Sequence, residues 1–183
     1  MNRKQFFKSC ACAVCSCAAV GMVGMEDANG AEDKPAEDWR LPFVKKRYAK
    51  LLEILAGRMD EASFIEILRQ MGYACASEYW LFQKHKGDVD GFIREFKGIT
   101  SEDISFDREK GIVQVVSPER TECVCPFMDA KLTTPKACNC SLGWQQCAYE
   151  TLLGRKVKVE LKESILRGGK RCRFEVRVLD EKI

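Results

Sequence analysis

The chain has 183 residues, 46% of them apolar and 31% charged, with a formal charge of +3. That size and balance suit one globular domain with its own core, and they exclude a mainly disordered, collagen-like or multi-spanning membrane protein. The composition departs from the ordinary in its eleven cysteines, which a chain this long does not need for stability.

Residues 1–30 have a basic start (Arg3, Lys4, Lys8), an apolar run from Ser9 to Met25, and small residues Ala28 and Gly30 placed for cleavage after Gly30. This is the anatomy of an export signal, and the run is short of the roughly 20 apolar residues that span a bilayer. The start, Asn2-Arg3-Lys4-Gln5-Phe6-Phe7-Lys8, resembles a twin-arginine export motif with Lys4 in place of the second arginine. Val14-Cys15-Ser16-Cys17 loosely resembles a lipobox, so a lipid anchor is the rival reading, with an uncleaved anchor or a cysteine-rich cytosolic tail as the third. The expected location is periplasmic or cell-surface, with the cytoplasm as the alternative. Membrane contact is expected only through the signal or the anchor, and an exported chain is expected to have no nucleic-acid partner.

Residues 31–40 are small, acidic and proline-containing and read as a linker to a single domain over 41–183. Val44, Tyr48, Leu51, Leu55 and Met59 recur at three or four residues and predict a first helix that ends near Gly57. Asp60 is placed to cap a second, with Phe64, Ile67, Leu68 and Met71 as its stripe and Gly72 as its expected end. Residues 77–86 have no clear period, and His85, the only histidine, reads there as part of an exposed loop. Phe92, Ile93 and Phe96 predict a shorter helix over Val89–Lys97.

After Thr100 the period changes to two. Ile104 and Phe106, then Ile112, Val113, Val115 and Val116, flank a turn at 107–111. Val157, Val159 and Leu161 form one side of a second pair, with a turn near Arg167-Gly168-Gly169-Lys170, and Cys172, Phe174, Val176 and Val178 form the other. Parity puts Cys172 on the core face, opposite Arg171, Arg173, Glu175 and Arg177. Between the pairs lies a helix with Ser141 as its expected N-cap and Gly154 as its stop. The fold class is therefore α+β: N-terminal helices followed by an antiparallel sheet of about four strands, with a helix between the two hairpins.

Seven cysteines fall outside the export segment: Cys75, Cys123, Cys125, Cys138, Cys140, Cys147 and Cys172. Seven is odd, so disulfides within one chain cannot use them all. Cys123-Val124-Cys125 and Cys138-Asn139-Cys140 are two Cys-x-Cys pairs separated by twelve residues. If 123 and 125 are extended, their side chains share a side, and four thiolates from Cys123, Cys125, Cys138 and Cys140 suit tetrahedral zinc or iron, or an iron–sulfur cluster. Disulfides across the loop and a reactive thiol are the other readings. Cys140 stands at a helix start, where the dipole favours a thiolate. Trp144 and Cys147 follow it at offsets of four and seven on one face, and with Cys172 they are the expected lining of a small-molecule pocket. Cys75 and Cys172 also suit plain burial as small apolar residues.

The stretch from Cys123 to Val178 carries Cys-Pro-Phe, a cysteine pair before a Trp-bearing helix, and Ser164-Ile165-Leu166-Arg167-Gly168-Gly169-Lys170-Arg171-Cys172-Arg173-Phe174-Glu175-Val176. It resembles the L-2-amino-thiazoline-4-carboxylate hydrolase family and is similar to the 4-vinyl reductase type of small-molecule-binding domain, as a cysteine-rich bacterial relative. The resemblance implies an α+β domain around a small-molecule pocket, with ring-opening hydrolysis of a C–N bond as the named activity. No catalytic residue is assigned by it. A thiolate, Asp129, Glu122 or Glu150 would have to supply the acid–base work. The doubled Cys-x-Cys and the export signal depart from the hydrolase pattern. The excess of Lys and Arg over 155–177 reads as a solvated sheet face.

Overall fold

The structure, a computed structural model, describes residues 38–182; the export signal and most of the expected linker lie outside the described residues. Helix α1 runs Arg40–Ala56 and α2 runs Glu61–Ser77. Asp60 caps α2 as expected, its Oδ1 accepting from the Ser63 backbone N–H at 2.9 Å. Phe64, Leu68, Gly72 and Ala76 recur every four residues and form the buried edge of α2. The helix does not stop at Gly72, because that glycine serves an approach between helices. A Cβ there would lie 1.8 Å from the carbonyl oxygen of Cys140. Gly143 is its counterpart, where a Cβ would lie 1.9 Å from the carbonyl oxygen of Arg69. Two missing side chains thus let the backbones of α2 and the later helix α5 touch.

Residues 77–86 contain the short helix α3 (Trp80–Lys84), and α4 spans Val89–Ile99 with the Asp88 carboxylate accepting from Gly91 N–H at 2.9 Å. His85 is not an exposed loop residue. Its side chain is only 12% exposed and its Nε2 lies 2.7 Å from Glu95 Oε2. The packing of α4 against α3 that makes this pair could not be read from local period.

Strands β1 (Asp103–Asp107), β2 (Ile112–Val116), β3 (Arg155–Glu163) and β4 (Arg173–Lys182) form one antiparallel sheet in the order β1-β2-β4-β3. The two strand pairs therefore join through β2 and β4, with Val115 opposite Phe174 and Val113 opposite Val176. Helix α5 (Cys138–Leu153) covers the apolar face of this sheet. It begins three residues before the expected cap, because Pro135–Ala137 forms a 3-10 turn, capped by Thr134, that runs straight into it. Gly154 ends it as expected. Held between α2 and the sheet, α5 buries residues on nearly every side, from Cys138 and Leu142 to Tyr149 and Leu152. The core face carries Ile104, Val115, Phe174 and Val176, so strand parity is as the alternation implies. Among the described residues, no helix is long and apolar enough to cross a membrane.

Candidate functional site

The loop between β2 and α5 folds back over α1 and α2, resting on a second apolar cluster of Leu52, Phe64, Leu68, Met128 and Ala137. Cys123, Cys125 and Cys140 pack on the rim of that cluster with Tyr48 and Leu166. Met128 N–H donates to the Cys125 carbonyl at 3.1 Å and Thr133 N–H to the Asp129 carbonyl at 2.8 Å, so the loop is held by its own turns.

Each Cys-x-Cys pair sends its thiols to two neighbouring sets. The first set is Cys123, Cys138 and Cys172, drawn from the loop, the first turn of α5 and the residue before β4. Burial pushes the Cys123 thiol up to about 11, with added repulsion from Cys172, Cys138, Cys125 and the Asp129 carboxylate. Cys138 is also pushed up, first by burial; its Sγ donates to Ser164 Oγ at 3.3 Å, and that bond together with the nearby Arg167 charge pulls the other way. The second set is Cys125, Cys140 and Cys75 around the Tyr48 hydroxyl. Burial pushes Cys140 up to about 12, with Cys125, Cys75 and Cys138 adding to it, and Tyr48 is pushed up by burial and by Cys140, Cys125 and Cys75. At Cys140 burial outweighs the helix dipole: the expected thiolate is a thiol in this fold.

Cys172 is half-buried and packs on the main core. Its backbone N–H donates to Ser117 Oγ at 2.9 Å and its carbonyl accepts from Ser117 N–H at 2.9 Å. Trp144 and Cys147 lie away from the loop thiols. Trp144 packs its ring 5.6 Å from those of Tyr79 and Phe82, and Cys147, 2% exposed, sits in the main core near Tyr73. Cys172 is thus brought to two of the four expected metal-binding thiols, while Trp144 and Cys147 belong to the α5 core.

The remaining candidates separate cleanly. Glu122 is exposed. Glu150 is 2% exposed, accepting from the Tyr73 hydroxyl and from Gln146 Nε2, both at 3.2 Å, with Lys156 Nζ at 3.6 Å. Those partners account for its carboxylate as an anchor between α2, α5 and β3. Sequence reasoning missed Tyr48, Ser164 and Arg167 as neighbours of the thiols, and its expectation of a buried Cys75 is corrected: that residue is exposed, on the edge of the second set. Only Cys75 carried a signal, standing one turn beyond the glycine at the helix crossing.

The thiols suit zinc or iron as donors. In the arrangement described, however, no three His, Cys, Asp or Glu side chains among the described residues stand where one ion could be held. All seven described cysteines are free thiols.

No family model matches the chain, and no curated protein matches it significantly. Solved structures do share its fold. A trafficking protein particle complex subunit 3 from Naegleria fowleri, covalently bound to palmitic acid, aligns with TM-score 0.50 and 16% identity over 80% of this chain and 99% of that one. The phenol-responsive sensory domain of the transcription activator PoxR, with phenol, aligns with TM-score 0.50 and 12% identity over 73% and 74%. A vinyl-4-reductase family protein from Methanocaldococcus jannaschii aligns with TM-score 0.37 and 15% identity over 76% and 82%. At these identities the likeness to the first two is one of fold.

Proposed function

We propose that this is an exported small-molecule-binding domain whose clustered thiols take up a soft metal ion, zinc or iron. The carrying observation is that Cys123, Cys138 and Cys172, from three separate segments, share one charge environment with Cys125 and Cys140 near by; no three of them surround one point in the arrangement described, so holding an ion requires their side chains to turn toward one another. Buried thiols crowded together resist ionisation, and a bound cation reverses that cost by stabilising the thiolates. Such an ion would tie the loop to α5 and to the start of β4. The ligand half of the proposal is supported by the fold, shared with a protein holding palmitic acid and a sensory domain holding phenol, and by the aromatic group around Trp144. Ring-opening hydrolysis is not adopted, because the carboxylates named for its acid–base work have other places: Glu122 is exposed, and Glu150 is held by Tyr73, Gln146 and Lys156.

Elemental analysis with thiol titration on protein purified without air tests the metal. One zinc or iron per chain is expected, released by the Cys123→Ser/Cys172→Ser double variant. Metal-free native protein with these residues mapped into disulfides would overturn it. N-terminal sequencing of native material tests export: a start near Ala31 supports it, and an intact Met1 on soluble cytoplasmic protein does not.

A further inference from the structure

On the sheet face opposite the core, acids and bases neutralise one another along most of the length. Glu160 holds Lys162 at 2.6 Å and Lys158 at 3.4 Å, and Glu175 holds Arg177 at 3.2 Å and Lys162 at 3.7 Å. One end is different. There a cleft of about 420 Å³ is lined by Val116, Glu119, Glu163, Lys170, Arg171 and Arg173. Glu119 is paired with Arg171, and Glu163 Oε1 accepts from the Lys170 backbone N–H at 3.0 Å. Lys170 and Arg173 have no carboxylate within 4.0 Å among the described residues. The lining therefore carries three cations, Lys170, Arg171 and Arg173, against the two carboxylates of Glu119 and Glu163, an excess of one positive charge.

The backbone that carries these cations is fixed. Gly168 N–H donates to the Ile165 carbonyl at 3.0 Å and Gly169 N–H to the Ser164 carbonyl at 2.9 Å. The Lys170 carbonyl accepts from Arg120 N–H at 3.0 Å, and Cys172 is pinned on both sides by Ser117. Gly168 has φ +84°, and a Cβ on Gly169 would come within 2.6 Å of Glu163 Cγ. The glycine pair that stands out in the sequence is thus what presses the Lys170–Arg173 turn onto β3. An ordered turn fixes where these side chains start, so binding costs only the rotamer freedom of the side chains themselves and no ordering of the backbone.

We propose that this cleft binds an oxyanion, the carboxylate or phosphate group of a small molecule, through Lys170 and Arg173, with the Arg171–Glu119 pair as its wall. A guanidinium matches either group with two parallel N–H donors, and a lysine adds a point charge. None of the thiols lines the cleft, although Cys172 stands between Arg171 and Arg173 in the chain.

The test is an NMR titration of the ¹⁵N-labelled full chain with sodium phosphate, and separately with sodium acetate, at constant ionic strength. Saturable amide shifts confined to residues 116–120, 163 and 168–173 are expected with at least one anion, and the two arms say which oxyanion the cleft prefers. Lys170→Ala/Arg173→Ala should weaken that binding about tenfold or more, whereas Lys158→Ala leaves it unchanged; melting temperatures of both variants confirm the fold. Shifts that never saturate, that spread equally over Lys156, Lys158 and Lys162, or that survive the double variant would overturn the proposal.

Discussion

The two apolar clusters of this domain are built from different materials. The one between α5 and the sheet is filled with bulk: Leu81, Phe82, Phe92, Val113, Tyr149, Leu152 and Val176 are at most 2% exposed. The one beneath α1 has five buried residues and is rimmed by Cys123, Cys125 and Cys140. Large side chains contribute most of the burial energy, at about 25 cal/mol for each Å² removed from water. Thiols contribute little bulk but keep a titratable, metal-binding atom at the edge. The sheet side is therefore where the fold gains its stability, and the loop side is where its chemistry is concentrated.

Opening the seam between α2 and α5, which both clusters share, should have the largest effect. Gly143→Ala puts a Cβ against the Arg69 carbonyl, and backbone cannot yield as a flexible side chain does. A loss of more than about 4 kcal/mol is expected in urea unfolding, and an unchanged midpoint would mean the helices do not cross this closely.

The clusters can then be compared directly. Phe174→Ala removes a ring from the sheet side and should cost about 4 kcal/mol, whereas Cys140→Ala, on the rim of the other cluster, should cost roughly 1 kcal/mol in metal-free protein. Equal losses from the two would erase the distinction between bulk and thiol.

Alkaline pH acts on both sides, since burial also pushes up Tyr149 and Cys147 of the main core, but the thiol side holds two strongly raised groups that can be removed one at a time. Unfolded thiols titrate near their ordinary value of 9.0, while folded Cys123 and Cys140 hold their protons to about 11 and about 12. The unfolded state thus loses protons first, and stability, level with respect to these groups below pH 9, falls as pH rises through 9 to 12. Cys140→Ser should make that fall shallower in urea midpoints measured against pH; a midpoint that climbs above pH 9 contradicts the sign.

The smallest effect is expected far from both clusters. A Cβ on Gly98, inside α4, meets nothing within 4 Å, so Gly98→Ala should stabilise by about 0.5–1 kcal/mol through helix propensity. A loss of stability there would show an unseen contact on α4.

Local pattern determined a good deal about this protein. The alternation of Phe174 and Val176 with Arg173 and Arg177, the stripe of Phe64 and Leu68, and the Asp60 cap each record a neighbour within a few residues, and all three are met in the fold. Only the tertiary structure decided the rest. Gly72 looks locally like a helix end and is instead the point where α5 presses on α2, because what a missing Cβ permits depends on the partner that arrives. Cys123 joins Cys172, and Cys140 joins Cys75, across 49 and 65 positions of chain. Spacing within a motif reports which thiols are close along the backbone; which thiols share a charge environment is set by the chain's return from β2 over α1 and α2, and no local period encodes that path.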